Sequence, residues 1–264
     1  MSDRIVTDSA LEEKGKKRAR AFNKLGNNYL RENLLDDAIA AFTKALQCDQ
    51  AYSTPHNNLG IIYLEQKKYP EAIEAFKNAI LIDPESSLYY CNLGAAYDEA
   101  GMDEIALEAF LAAVQTDHNS HLGYFSLGAY YQAHGKYTLA LENYKKTTEL
   151  RPKFAQGYVN QGTMHYFLSG LSPLSWRKKQ QAICLDYNAQ MAHALAAYNM
   201  ALEIDPKCED AYYHLGLLYQ EIAHYDEAIQ SFKKLISLND KSEQAEIAKN
   251  CIDQIKSRQN DPVA

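Results

Sequence analysis

At 264 residues, 47% hydrophobic and 11% aromatic, the chain has enough apolar side chains for a sizeable core, and 20 tyrosines carry most of the aromatic content. The 34 acidic residues outnumber the 27 basic ones, and a net charge of −7 gives no global attraction to nucleic acid, so none is expected as a partner. No run reaches the ~18 apolar residues of a membrane span, and the start, MSDRIVTDSA, has no apolar h-region, so neither membrane insertion nor a secretory leader is expected. The five cysteines, Cys48, Cys91, Cys184, Cys208 and Cys251, are odd in number and lack CxxC spacing, which fits reduced thiols and a cytoplasmic location.

Residues 1–18 read as a polar N-terminal extension whose stretch LEEKGKKRAR lengthens the first helix with a solvated, charged face. From residue 19 the chain repeats. A Leu-Gly pair followed three residues later by Tyr recurs at Leu59-Gly60/Tyr63, Leu93-Gly94/Tyr97, Leu127-Gly128/Tyr131 and Leu215-Gly216/Tyr219. The glycines at 26, 60, 94, 128 and 162 are each 34 apart, and the last step, to Gly216, is 54, which is 34 plus 20. A fixed period of this size marks a stacked array. Repeats are placed at about 19–52, 53–86, 87–120, 121–154, 155–208 and 209–240.

With the glycine as eighth residue, position 20 is always alanine, from Ala38 to Ala228. Position 24 is aromatic: Phe42, Phe76, Phe110, Tyr144, Tyr198 and Phe232. Two apolar blocks per repeat, divided by polar turns such as Glu65-Gln66-Lys67-Lys68, predict two helices. Gly and Ala let the two helices approach closely, and the aromatic fills the space between one pair and the next. Pro84, Pro152 and Pro206 stop second helices.

Repeat five departs from the pattern. Gln161 and His165 replace Leu and Tyr, and an insertion near 168–187 separates its halves. Ser172-Pro173 offers a helix start, and Trp176, Ile183, Tyr187, Met191, Ala194 or Leu195, and Tyr198 follow at helical steps, so the insertion reads as a lengthened, protruding second helix. Residues 241–258 place Ile247, Ala248, Cys251, Ile252 and Ile255 on one face, as a capping helix does, and 259–264 form a tail.

Six copies of this pattern resemble the tetratricopeptide repeat over residues 19–240. The resemblance implies an all-α solenoid, a right-handed superhelix of antiparallel helix pairs, closed here by the C-terminal capping helix. It also implies that each first helix lines a concave groove through its positions 2, 5, 6, 9, 12 and 13. Position 6 is Lys24, Asn58, Asn92, Ser126, Asn160 and His214, similar to the asparagine ladder of long superhelical members. An amide offers donor and acceptor together and can hold a peptide backbone without reading its side chains. Asn23, Asn27 and Asn57 enrich the same surface.

The carboxylate clamp of chaperone-binding members is only half present. Asn27 and Asn58 stand at its asparagine positions, whereas Asn23, Leu88 and Asn92 replace its cations, so the Hsp70 and Hsp90 C-terminal tails are disfavoured as ligands. Arg20, Lys24 and Arg31 make the groove's beginning basic; Glu65, Asp98, Glu99, Asp210 and Glu221 make the rest acidic. In the insertion Trp176 stands beside Arg177, Lys178 and Lys179, the composition of a docking hot spot.

None of GxGxxG, GxxxxGKS/T, HExxH or GxSxG occurs, so no catalytic residue, cofactor or metal is expected. Asp117, His118 and His121 cluster in an inter-repeat turn where polar residues belong anyway, and His165 is expected to pack through a hydrogen bond. The expected function is a non-enzymatic adaptor holding an extended segment of a partner protein. The alternative is a regulatory or targeting subunit of an enzyme complex that docks through the insertion.

Overall fold

Each repeat must bury two apolar faces against something, and it does so by folding into a first (A) and a second (B) helix. The computed structural model describes residues 2–170 and 184–260, with side chains from 12 to 170 and 187 to 259. The A/B pairs are α1 (Ser2–Arg31) and α2 (Leu35–Cys48), α3 (Ser53–Glu65) and α4 (Tyr69–Ile82), and α5 (Ser87–Glu99) and α6 (Asp103–Thr116). They continue with α7 (His121–Ala133) and α8 (Tyr137–Leu150), α9 (Ala155–Leu168) and α10 (Cys184–Ile204), and α11 (Glu209–Glu221) and α12 (Tyr225–Leu238); α13 (Glu243–Asn260) follows alone. The chain divides into two compact units, Met1–Leu127 and Gly128–Ala264.

The glycine and the aromatic of each repeat answer one another. A Cβ on Gly60 would lie 2.5 Å from the Phe76 ring, one on Gly94 2.8 Å from Phe110, and one on Gly162 2.6 Å from Tyr198. The aromatic therefore seats on the glycine of its own pair as well as reaching toward the next. Phe42, for example, shares a cluster with Leu59 and Ile62 of the following repeat. Phe42, Phe76 and Phe232 are completely buried, worth roughly 1.5–3 kcal/mol each.

A left-handed residue ends most A helices. Asn33, Lys67, Gly101, Gly135 and Ala223 all have φ between 58° and 74°. The next N–H reaches back to the carbonyl of the repeat's tyrosine: Lys68 to Tyr63 and Lys136 to Tyr131 at 2.8 Å, Met102 to Tyr97 at 2.9 Å. This is the Schellman closure of orphan carbonyls. Repeat five shifts the turn by one residue, because α9 has 14 residues where α3, α5, α7 and α11 have 13, and Gly170 takes the left-handed position. Between repeats, aspartates hold the chain: Asp49, Asp117 and Asp205 accept the N–H two residues on at 3.0 ± 0.1 Å. Asp117 is thus a turn residue.

The ends differ from the interior. α1 runs the full length of the N-terminal extension, and Gly15 lets it close on α2, where a Cβ would meet the Cys48 carbonyl oxygen at 2.9 Å. α10 has 21 residues against 14 in each other B helix, a lengthening of 7, or two turns. Tyr187, Met191, Ala194 and Tyr198 of its stripe pack into the core around Val159 and Leu215. Trp176 and Ile183 lie outside the described residues. In α13 the buried stripe is Ala245, Ala248, Ile252 and Ile255 rather than one beginning at Ile247, which is 38% exposed. Steps of three, four and three from Ala245 follow the side turned to Phe232 and Leu235, and Ile247 falls off that line.

Candidate functional site

On an α-helix, positions 2, 6, 9 and 13 share one face, since steps of four, three and four return to the same side. In the first unit this face carries Arg20, Lys24, Asn27 and Arg31 on α1, Thr54, Asn58, Ile61 and Glu65 on α3, and Leu88, Asn92, Ala95 and Glu99 on α5. Position 5 points aside, toward the neighbouring A helix. Asn23 and Asn57 are accordingly buried, at 7% and 4% exposure, which corrects their expected place on the groove surface.

The buried asparagines stitch successive A helices together. Asn58 donates through Nδ2 to Oδ1 of Asn23 and to Oδ1 of Asn27, both at 3.1 Å, and Asn23 in turn donates to the Tyr52 hydroxyl at 3.2 Å. One repeat further, Asn92 Nδ2 donates to Asn57 Oδ1 at 2.7 Å. Cys91 and Ser126 make the next such contact, and burial pushes the Cys91 thiol up despite hydrogen bonds from Ser126 and Ser87. Each rung joins position 5 of one repeat to position 6 of the next, 35 residues on.

What remains of each amide defines the surface. Both N–H groups of Asn58 are spent, so it presents only its carbonyl oxygen, and the Asn92 carbonyl oxygen is likewise unclaimed by the rung. At position 2 of their helices two large apolar side chains stand open: Leu88, 44% exposed and one turn before Asn92 on α5, and Leu122, 40% exposed, on α7. Apolar residues where other repeats carry Arg20, Thr54 and Gln156 were the available sequence signal for this feature.

In the second unit the amide is used differently. Asn160 Oδ1 accepts from Gln156 Nε2 at 3.2 Å, and its side chain hydrogen-bonds the Tyr144 phenol, which burial pushes far up. Gln161, in a leucine position, donates to Tyr144 O at 3.1 Å and to Thr148 Oγ1 at 2.7 Å. His165 is buried and its Nδ1 lies 2.6 Å from Gln190 Oε1. His214 stacks on Tyr198 with centroids 5.6 Å apart and 7° between planes, and burial pulls its imidazole down against the opposing pull of Asp210. Asp210 also accepts from Gln244 of the capping helix at 2.8 Å. Trp176, Arg177, Lys178 and Lys179 lie outside the described residues.

Sequence models described as "Tetratricopeptide repeat" match residues 19–52, 54–86 and 209–242, and one described as "TPR repeat" matches 190–222. No curated protein matches significantly. Among solved structures, Pseudomonas aeruginosa pilF is similar at 17% identity and TM-score 0.67, over 89% of this chain and 98% of that one. Yeast Tom70 is similar at 16% and 0.70, over 98% of this chain and 58% of that one. YrrB, titled a TPR protein with an unusual peptide-binding site, is similar at 20% and 0.51, over 80% and 98%. At these identities the likeness is one of fold, an all-α array of helix pairs.

Proposed function

We propose that this chain, which belongs to the tetratricopeptide-repeat family, is a non-enzymatic adaptor that holds an extended segment of a partner protein against α1, α3 and α5. The observation that carries this reading is the pairing of unclaimed acceptors, Asn58 Oδ1 and Asn92 Oδ1, with the open apolar side chains of Leu88 and Leu122. A peptide backbone donates N–H groups to such acceptors while its apolar side chains cover the leucines. Each hydrogen bond contributes about 0.5–1.5 kcal/mol net, so two together are worth roughly 5- to 150-fold in affinity.

A cytoplasmic location belongs to the same proposal, supported by the free thiols of Cys48, Cys91, Cys208 and Cys251. The same proposal disfavours chaperone tails as ligands, because the two clamp asparagines hydrogen-bond each other and Leu88 stands in a cation's place. No helix among the described residues is long and apolar enough to cross a membrane.

The test is panning of a displayed library of short random peptides on the full-length protein, followed by affinities for Asn58→Ala/Asn92→Ala. The recovered peptides should weaken by the factor above while the helical melt stays cooperative; unchanged affinity would remove the groove from the proposal. The two-turn lengthening of α10 favours a second reading, docking of an enzyme through the insertion. Deleting residues 171–187 should then abolish capture of that partner and leave peptide binding untouched.

A further inference from the structure

From Lys14 to Arg31 the chain carries seven cations, Lys14, Lys16, Lys17, Arg18, Arg20, Lys24 and Arg31, and not one acid, in a protein whose net charge is −7. Lys16 is occupied by Glu12, 2.8 Å away. Lys17, Arg20, Lys24 and Arg31 are exposed, and they recur with Asn27 at steps of three, four, three and four, which makes one continuous stripe along α1. Asn27 is the member of that stripe bound to Asn58 at 3.1 Å, so the cations flank the first rung of the groove.

A segment crossing the rungs toward α1 arrives at Asn27 with Lys24 one turn to one side and Arg31 one turn to the other, each about 4.5–6 Å along the axis. Arg20 and Lys17 extend the same row. On α3 and α5 the residues corresponding to Arg31 are Glu65 and Glu99, both exposed, so the sign reverses within two repeats. Like charge would repel an acidic segment there, while opposite charge holds it at α1.

We propose that the α1 stripe Lys17–Arg20–Lys24–Arg31 binds an acidic run at one end of the partner's extended segment, which fixes the direction in which that segment lies across the groove. This rests on the groove reading and adds the partner's chemistry to it. Four solvated cations act mainly on encounter rate and orientation, each worth about twofold to fivefold in affinity, and the effect is screened by salt.

The experiment pans the same peptide library on the wild type and on Lys17→Gln/Arg20→Gln/Lys24→Gln/Arg31→Gln, with phosphatidylserine–phosphatidylcholine vesicles as a parallel arm. All four positions are exposed, so folding is unaffected, and a thermal melt checks this. The wild type should recover peptides with Asp and Glu gathered at one end. The variant should recover peptides without that bias, and wild-type binders should lose at least about tenfold on the variant. If the wild type recovers neutral peptides that still depend on Asn58 and Asn92, the stripe proposal falls and the groove stands. Recovery of acidic peptides that ignore Asn58 and Asn92 would instead sink the groove. Vesicle binding that the four substitutions abolish, without any acidic bias among peptides, would make the stripe a membrane contact and overturn the proposal.

Discussion

Glycine in a helix interior ordinarily costs ~1 kcal/mol relative to alanine, so Gly60→Ala in α3 should stabilise the protein if propensity alone decided. The structure predicts the opposite sign. The new Cβ would stand 2.5, 2.7 and 2.8 Å from three atoms of the Phe76 ring, about 1 Å inside ordinary contact. Phe76 is 0% exposed, so its ring cannot swing out into solvent and must be accommodated by displacing its neighbours. Overpacking of this kind costs about 1–3 kcal/mol, the upper end applying to a displacement this large. After the propensity gain a net loss of about 1–2 kcal/mol remains. Urea unfolding followed by far-UV circular dichroism measures it, with Phe76→Leu and the double variant completing a cycle. Leucine makes room, so Phe76→Leu should cost less in the Gly60→Ala background, a coupling of about 1 kcal/mol or more. A stabilised Gly60→Ala, or additive substitutions, would refute the view that glycine is there to seat the ring.

The left-handed turn residues offer a matched pair: Ala223→Gly, at φ 60°, should gain up to about 1 kcal/mol, while Gly101→Ala, at φ 74°, should lose about as much in the same melt. Because burial depresses His214 below its ordinary 6.5, the unfolded chain takes up the proton first. Its contribution is therefore full above about pH 6.5 and declines as pH falls through that value, and His214→Phe should flatten the loss between about pH 7.5 and 5.5; an unchanged slope would count against it. Asn57→Leu should cost about 1–3 kcal/mol by stranding the Asn92 donor, whereas Asn57→Leu/Asn92→Leu should recover most of it.

The fold was legible because its two controlling residues are chemically extreme. A glycine every 34 residues through the first five repeats, with an aromatic sixteen later in every repeat but the fifth, is rare enough to stand out, and the two meet because no other residue type leaves room for a ring against the helix backbone. The rungs were not legible in the same way. Asn57 and Asn58 sit side by side in sequence, and asparagine alone does not say which of two adjacent amides faces solvent. The deciding fact is tertiary: the neighbouring A helix covers position 5 and leaves position 6 half-open, which pairs residues at an offset of 35 inside a period of 34. In α13, likewise, Ile247 is apolar enough for the core, yet it is 38% exposed while Ala245 is fully buried, because only Ala245 lies in line with Ala248, Ile252 and Ile255, the latter three packing on α12.

The same stitching constrains the shape of a bound segment. Asn58 has spent both donors and the Asn92 carbonyl oxygen is left open by its rung, so both offer an acceptor, and a bound backbone meets these acceptors by presenting N–H groups in register with them. Packed helices lie about 8–10 Å apart, which sets the spacing between Asn58 and Asn92. A β-strand turns an N–H to one edge every second residue, about 6.6 Å, and falls out of step after one rung. A polyproline II segment repeats every three residues, at about 9.3 Å, and stays in step. Proline lacks the N–H, so a proline scan of a peptide recovered by panning should be tolerated at two positions in three and fail at the third. Failure at alternate positions would mean that the segment binds as a strand, and uniform tolerance would mean that its N–H groups do not meet the asparagines at all.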